Sequence, residues 1–121
     1  MKIAILGAES TGKSELGHQL TRYFQAQGNT VAHIHEVLRE WCNQNQRTPQ
    51  QHEQLAIATE QQNRVASAPA CDHLIADTTP LMVAVYSDFL FQDSSLYDMA
   101  IAHQRNYAFT LLLGLDMPWV A

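Results

Sequence analysis

A three-layer α/β domain with a mostly parallel sheet is the fold class the sequence predicts, and three observations predict it. Short strand-like runs (residues 3–6, 30–35, 73–76 and 108–113) alternate with segments of helical period, the pattern of strands joined by crossover helices. The first run, Ile3-Ala4-Ile5-Leu6, is apolar on both faces, as the centre of a parallel sheet requires. It opens directly into a glycine-bearing turn and then a helical segment, which makes a right-handed βαβ unit of the first two runs.

The elements follow in order. Lys2 to Leu6 is the first strand. From Ser14 to about Gln27, Leu16, Leu20, Tyr23 and Phe24 recur at helical spacing and define one apolar face. Gly28 stops that helix, because a left-handed residue closes the last turn most cheaply when it has no Cβ. Residues 30–35 form the second strand, and Glu36 to Asn45 a helix. Residues 43–54 are nearly all polar and form a solvated connection, and the glutamines from Gln44 to Gln62 read as a solvated face. Thr48 with Gln51 suits a capping box with Pro49 at the first helical position. The helix then runs to about Ala66, with Leu55, Ala58, Gln62 and Val65 on its apolar side, and Pro69 ends it. His73 to Ala76 is the third strand. Thr79 caps and Pro80 begins a helix to about Phe91, and a shorter helix covers roughly Ser95 to His103. Residues 108–113 read as a buried fourth strand.

Bulk properties exclude several classes. The 121 residues suit a single domain with a sizeable core. A net charge of -5, with only seven Lys and Arg scattered along the chain, leaves no basic stripe for nucleic acid or a membrane surface. No apolar run reaches spanning length, and Met1 leads so soon into the first strand that no signal peptide is expected. Cys42 and Cys71 form no C-x-x-C pair; reduced thiols and a cytoplasmic location are the expectation.

The chemistry starts at Gly7-Ala8-Glu9-Ser10-Thr11-Gly12-Lys13-Ser14, which fits the phosphate-loop pattern G-x-x-x-x-G-K-[ST] in its strand–loop–helix context. Gly7 and Gly12 permit backbone angles that turn successive N–H groups toward phosphate oxygens, and the helix start adds its positive end. Lys13 is placed to reach the β- and γ-phosphates of ATP, and the Ser14 hydroxyl to hold Mg²⁺. In a parallel sheet the site lies at the carboxyl ends of the strands, which directs attention to Glu36, Asp77 and Asp116. Asp77 is the candidate acid beside Mg²⁺; its bland reading is a turn or capping aspartate. Glu36 is a candidate base for a substrate hydroxyl, with Asp77 competing for that role and a helix-start glutamate as the bland reading. Arg39, one turn on, either pairs with Glu36 or binds a substrate anion. Glu9 faces the substrate side or simply solvent. His33 and His35 share one face of the second strand without a convincing further set of metal ligands. Trp41 and Tyr86 are better read as core than as stacking platforms.

These stretches together resemble a known family. The phosphate loop, Glu36-Val37-Leu38-Arg39-Glu40, Asp77-Thr78-Thr79 and the terminal Leu-Leu-Leu-Gly-Leu-Asp-Met-Pro-Trp are similar to the ribosylnicotinamide kinase domain of NadR-type proteins, in the AAA-type phosphate-loop nucleoside-kinase group. The resemblance implies a P-loop nucleoside-kinase fold and transfer of the ATP γ-phosphate to a ribosyl hydroxyl, with nicotinamide riboside as acceptor. It implies Lys13, Glu36 and Asp77 as catalytic groups, and Glu36, Arg39 and Asp77 near the substrate. Residues 7–14 and Thr79 then form the nucleotide-binding set, and Ser14 and Asp77 hold the metal. Compared with that family, the chain starts at the kinase strand and lacks the arginine-bearing lid and last strand expected beyond Trp119. An ATPase or regulatory nucleotide-binding module without kinase activity is the competing class. A GTPase is disfavoured, because Gly114-Leu115-Asp116-Met117 stands where an Asn-Lys-x-Asp stretch would read guanine.

Overall fold

The computed structural model describes residues 1–7 and 12–113. Four strands form one sheet: β1 (Lys2–Leu6), β2 (Val31–Ile34), β3 (His73–Asp77) and β4 (Phe109–Leu112). Five α-helices accompany them: α1 (Lys13–Ala26), α2 (Val37–Asn45), α3 (Gln54–Ala66), α4 (Pro80–Phe91) and α5 (Tyr97–Gln104), with a 3₁₀ turn at Gln51–Glu53. The chain divides into two compact units. One contains Met1–His35, Pro69–Thr78 and the segment from Tyr107; the other contains Glu36–Ala68 and Thr79–Asn106.

The first unit holds the sheet, whose order is β2-β3-β1-β4 with every pair parallel. The α/β reading is therefore right, and the sheet is wholly parallel. From β1 the chain passes to β2 on one side, and from β3 it passes to β4 on the other. The winding reverses between the neighbours β1 and β3, and open α/β sheets take ligands at such a reversal. There Ile5 is paired with Asp77. Ile3, Ala4, Ile5 and Leu6 of β1 and Leu74, Ile75 and Ala76 of β3 are buried, which makes these two strands the rigid floor of the unit.

The fourth strand was expected to be buried, and it is not. Phe109 is 57% and Leu112 74% exposed, because among the described residues β4 stands at the sheet edge and pairs only with β1. Sequence hydrophobicity does not distinguish an edge strand from a central one, since neither periodicity nor composition reports what packs on the strand.

Helix α1 ends as its sequence predicts. Gly28 adopts φ 88°, its N–H donates to the Gln25 carbonyl and that of Asn29 to Phe24, the paired bonds of a Schellman closure. Its packed face matches the expected one at Leu16, Leu20 and Phe24, which are half-buried, but not at Tyr23. Lys13 and Gly17 are buried while Tyr23 points to solvent, 57% exposed. Gly17 is the reason α1 can lie so close to β2: a Cβ there would stand 2.8 Å from His33 Nε2. Phe24 stacks on the His73 ring at 4.1 Å between centroids.

The second unit is helical. Its core is Val37, Ile57, Ala58, Val83, Ala84, Leu96 and Ala100, with Trp41 and Leu81 among the half-buried residues packed on it. Three expectations need correction. The buried face of α3 is Gln54, Ile57, Ala58, Gln61 and Val65, while Leu55 is largely exposed. Gln54 and Gln61 are therefore interior, not part of a solvated face. Gln61 Oε1 accepts the Val37 N–H at 2.9 Å, so a glutamine of α3 caps α2 from inside. The capping box is formed by Gln50 and Glu53 rather than Thr48 and Gln51. Glu53 is bound bidentately by Arg47 at 2.7 and 2.8 Å and also accepts the Gln50 N–H, which together hold its carboxyl at about 2. Thr79 and Pro80 begin α4 as predicted, with the Leu81 N–H donating to Thr79 Oγ1 at 3.3 Å.

Candidate functional site

The site is built on the reversal point of the sheet. Gly12 adopts φ 86° and ψ 18° immediately before α1, the left-handed geometry expected of the second glycine, and its carbonyl accepts the Leu16 N–H. Gly7 is buried just past β1. Ala8, Glu9, Ser10 and Thr11, and Asp116 beyond β4, lie outside the described residues.

Lys13 and Ser14, the first two residues of α1, meet the end of β3. Ser14 Oγ donates to Asp77 Oδ2 at 2.7 Å, and Lys13 Nζ stands 3.9 Å from Asp77 Oδ1. Lys13 is 3% and Asp77 1% exposed. Asp77 Oδ1 is enclosed without a hydrogen-bond partner. A buried carboxylate oxygen left in that state is poorly compensated, because a lysine near 4 Å attracts it without bonding to it. The hydroxyl and the carboxylate are hard oxygen donors of the kind a divalent Mg²⁺ ion selects, and the unpartnered Oδ1 gives such an ion a ligand.

Glu36 and Arg39 belong to the second unit. Glu36 is the residue before α2, with extended backbone, yet its carboxylate does not cap the helix. It is 4% exposed, and Arg39 Nη2 lies 3.3 Å from its Oε2. The ion-pair reading of Arg39 thus holds in this structure, while its side chain remains 42% exposed. The Thr79 hydroxyl receives the Leu81 N–H and donates to Gln104 Oε1 at 2.7 Å, so it is engaged in closing the start of α4.

The histidines of the first unit form a cluster that the strand alternation only partly foretold. His33 lies 4.6 Å from His35 and 5.1 Å from His18 between ring centroids. His18 comes from α1, so pairing it with β2 required the crossover to be known. Among the described residues, no group of three or more His, Cys, Asp or Glu is arranged to hold a metal ion. Burial lowers the His33 pKa below 6.5, helped by His35 and His18 and opposed by Asp77. A base whose folded pKa is depressed contributes stability that is present above its unfolded value and lost as pH falls below it. The urea midpoint is therefore expected to fall between about pH 7.5 and about pH 5.5, and His33→Gln to flatten that fall. A parent and a variant with the same pH profile would remove His33 as the cause.

Sequence reasoning missed Thr78, which follows Asp77 with φ 82° and a buried hydroxyl lacking a partner. The β-branched side chain in so tight a place is the only sequence sign, and it says nothing without the backbone angle.

Comparison with known proteins adds a family and a fold. No curated protein matches the chain. Among solved structures it is similar to deoxyadenosine kinase from M. mycoides, described with the products dCMP and a flexible dCDP bound. The two share 18% identity with a TM-score of 0.58, over 93% of this chain and 64% of that one. At that identity the likeness is one of fold, and the chain spans about 64% of the kinase's length. Among the described residues no helix is long and apolar enough to cross a membrane. The sequence model of the AAA domain family matches residues 2–121, and the chain belongs to that family.

Proposed function

We propose that this chain is the phosphate-gripping domain of an ATP-dependent nucleoside kinase of the cytoplasm, which passes the γ-phosphate of ATP to a ribosyl hydroxyl. The observation that carries the reading is the Ser14–Asp77 hydrogen bond of 2.7 Å with Lys13 alongside, at the sheet's reversal point. The NadR-type resemblance supports nicotinamide riboside as acceptor, and the fold shared with deoxyadenosine kinase supports a nucleoside class.

Ser14 and Asp77 are the residues that would hold Mg²⁺. When bound, Mg²⁺ neutralises phosphate charge and orients the triphosphate. Lys13 would give its ammonium to the terminal phosphates, and the motif from Gly7 to Ser14 would supply backbone donors. Glu36 is the candidate to take the proton of the acceptor hydroxyl, with Asp77 competing for that role and Arg39 paired to Glu36. The Arg39 side chain, 42% exposed, is also a candidate to bind a substrate anion.

A coupled ADP-release assay on the full-length protein, with a nucleoside panel that includes nicotinamide riboside, tests the reading. Acceptor-dependent release is expected. Slow ADP release that no nucleoside accelerates would instead identify an ATPase or regulatory module. Glu36→Gln is expected to lower turnover by roughly 10²-fold or more, the usual range for loss of a general base, with ATP affinity within about twofold. Unchanged turnover would return the base role to Asp77.

A further inference from the structure

We propose that Thr78 is a positioning residue of the phosphate site, its hydroxyl donating to an oxygen of the Mg²⁺-bound triphosphate. The inference rests on reading Lys13, Ser14 and Asp77 as a nucleotide site.

Three non-glycine residues among those described have positive φ: Gln46 at 57°, Gln92 at 55° and Thr78 at 82°. Gln46 and Gln92 are explained by their positions. Each follows a helix, α2 and α4 respectively, where a left-handed residue lets its N–H close the last turn. Thr78 closes no helix. It follows a strand, and a β-branched side chain is among the least tolerant of that backbone region. A turn that needed only the backbone geometry would be better served by glycine or asparagine.

The side chain adds a second cost. Thr78 is 2% exposed, and its Oγ1 is enclosed with no hydrogen-bond partner. Its backbone is well held, since the Thr78 N–H donates to the Ile5 carbonyl at 2.9 Å and extends the β1–β3 pairing. The strain is therefore fastened in place by the sheet rather than relaxed. Asp77 Oδ1, on the preceding residue, is also enclosed without a hydrogen-bond partner. The end of β3 thus presents an acceptor and a hydroxyl in succession, neither satisfied within the protein.

A Mg²⁺-triphosphate supplies what both groups lack. Asp77 Oδ1 would be a ligand to the cation, Lys13 would turn its ammonium to the phosphates, and a phosphate oxygen would accept from the Thr78 hydroxyl. Strain retained at one residue beside an unsatisfied buried hydroxyl is the pattern of a site whose partner arrives with the ligand.

Calorimetric titration with ATP plus Mg²⁺, paired with thermal unfolding of the ligand-free protein, tests this. Thr78→Val is expected to unfold at the parent's midpoint or above it, because a methyl replaces a buried unpaired hydroxyl, yet to bind Mg-ATP about tenfold more weakly. Thr78→Ser is expected to keep affinity within about twofold of the parent. If Thr78→Val does not fold, Thr78→Ala, which tolerates the backbone angle better, is expected to show the same loss. A hydroxyl-free variant that binds Mg-ATP as the parent does overturns the assignment, as does a serine variant as weak as the valine one. A parent that binds no Mg-ATP overturns the nucleotide reading itself, and Thr78 with it.

Discussion

Lys13→Ala is expected to weaken Mg-ATP binding by about 100-fold or more, the equivalent of roughly 2.7 kcal/mol, because it removes the ammonium that meets the terminal phosphates. The substitution also acts on the fold. From the sequence, Lys13 is a phosphate-facing side chain whose removal leaves folding untouched. In the structure it is 3% exposed and faces Asp77 at 3.9 Å. Removing the cation takes away the ammonium that helps to offset a buried carboxylate, and breaking such a pair costs on the order of 3 kcal/mol. The double variant Lys13→Ala with Asp77→Asn separates the two effects: it should recover most of the lost stability and none of the affinity. Calorimetry with urea unfolding reads both. A single variant that keeps parental affinity would remove Lys13 from the site, and one that keeps parental stability would show that the pair contributes nothing to folding.

Asp77→Asn is expected to reduce phosphoryl transfer by roughly 10²- to 10³-fold, the scale of losing one preorganised electrostatic group, and to raise the Mg²⁺ concentration needed for half-maximal rate. The amide keeps the shape of the carboxylate and can still accept the Ser14 hydroxyl, so the strand end should stay in place. It cannot offer a charged oxygen to a divalent cation. A Mg²⁺ titration at saturating ATP distinguishes this from a folding defect, since a misfolded fraction lowers the maximal rate without moving the Mg²⁺ midpoint. An unmoved midpoint in a folded variant would take the metal role away from Asp77.

Much of this was legible in the residues, and the parts that were not share a cause. Two helix ends were read well, since Gly28 closes α1 and Thr79 with Pro80 opens α4, while the start before α3 was placed at Thr48 instead of Gln50. Those signals are local, because caps and turns depend on the conformation of a few neighbouring residues. The left-handed Gly12 ahead of α1 is local in the same sense, while residues 8–11 of the phosphate-loop motif lie outside the described residues. Faces and edges were read less well. Leu55 and Tyr23 matched a helical period and proved exposed, while Gln54, Gln61 and Lys13 were counted as polar and proved buried. Burial is set by what another element places against a residue. Gln61 is inside because it serves the Val37 N–H, and Lys13 because it lies at the end of β3 beside Asp77.

The same division applies to the candidate site. By itself the sequence determined that a strand, a glycine-bearing loop and a lysine-led helix lie in succession, and that acids follow the second and third strands. Only the tertiary structure decided that β3 lies beside β1, bringing Asp77 to 2.7 Å from Ser14 across sixty-three positions of chain. It alone decided that Glu36 pairs with Arg39 instead of capping its helix, and that Thr78 is held at φ 82°. The physical reason is that strand order, paired charges and backbone strain arise from contacts between distant segments. Local propensity carries no record of them.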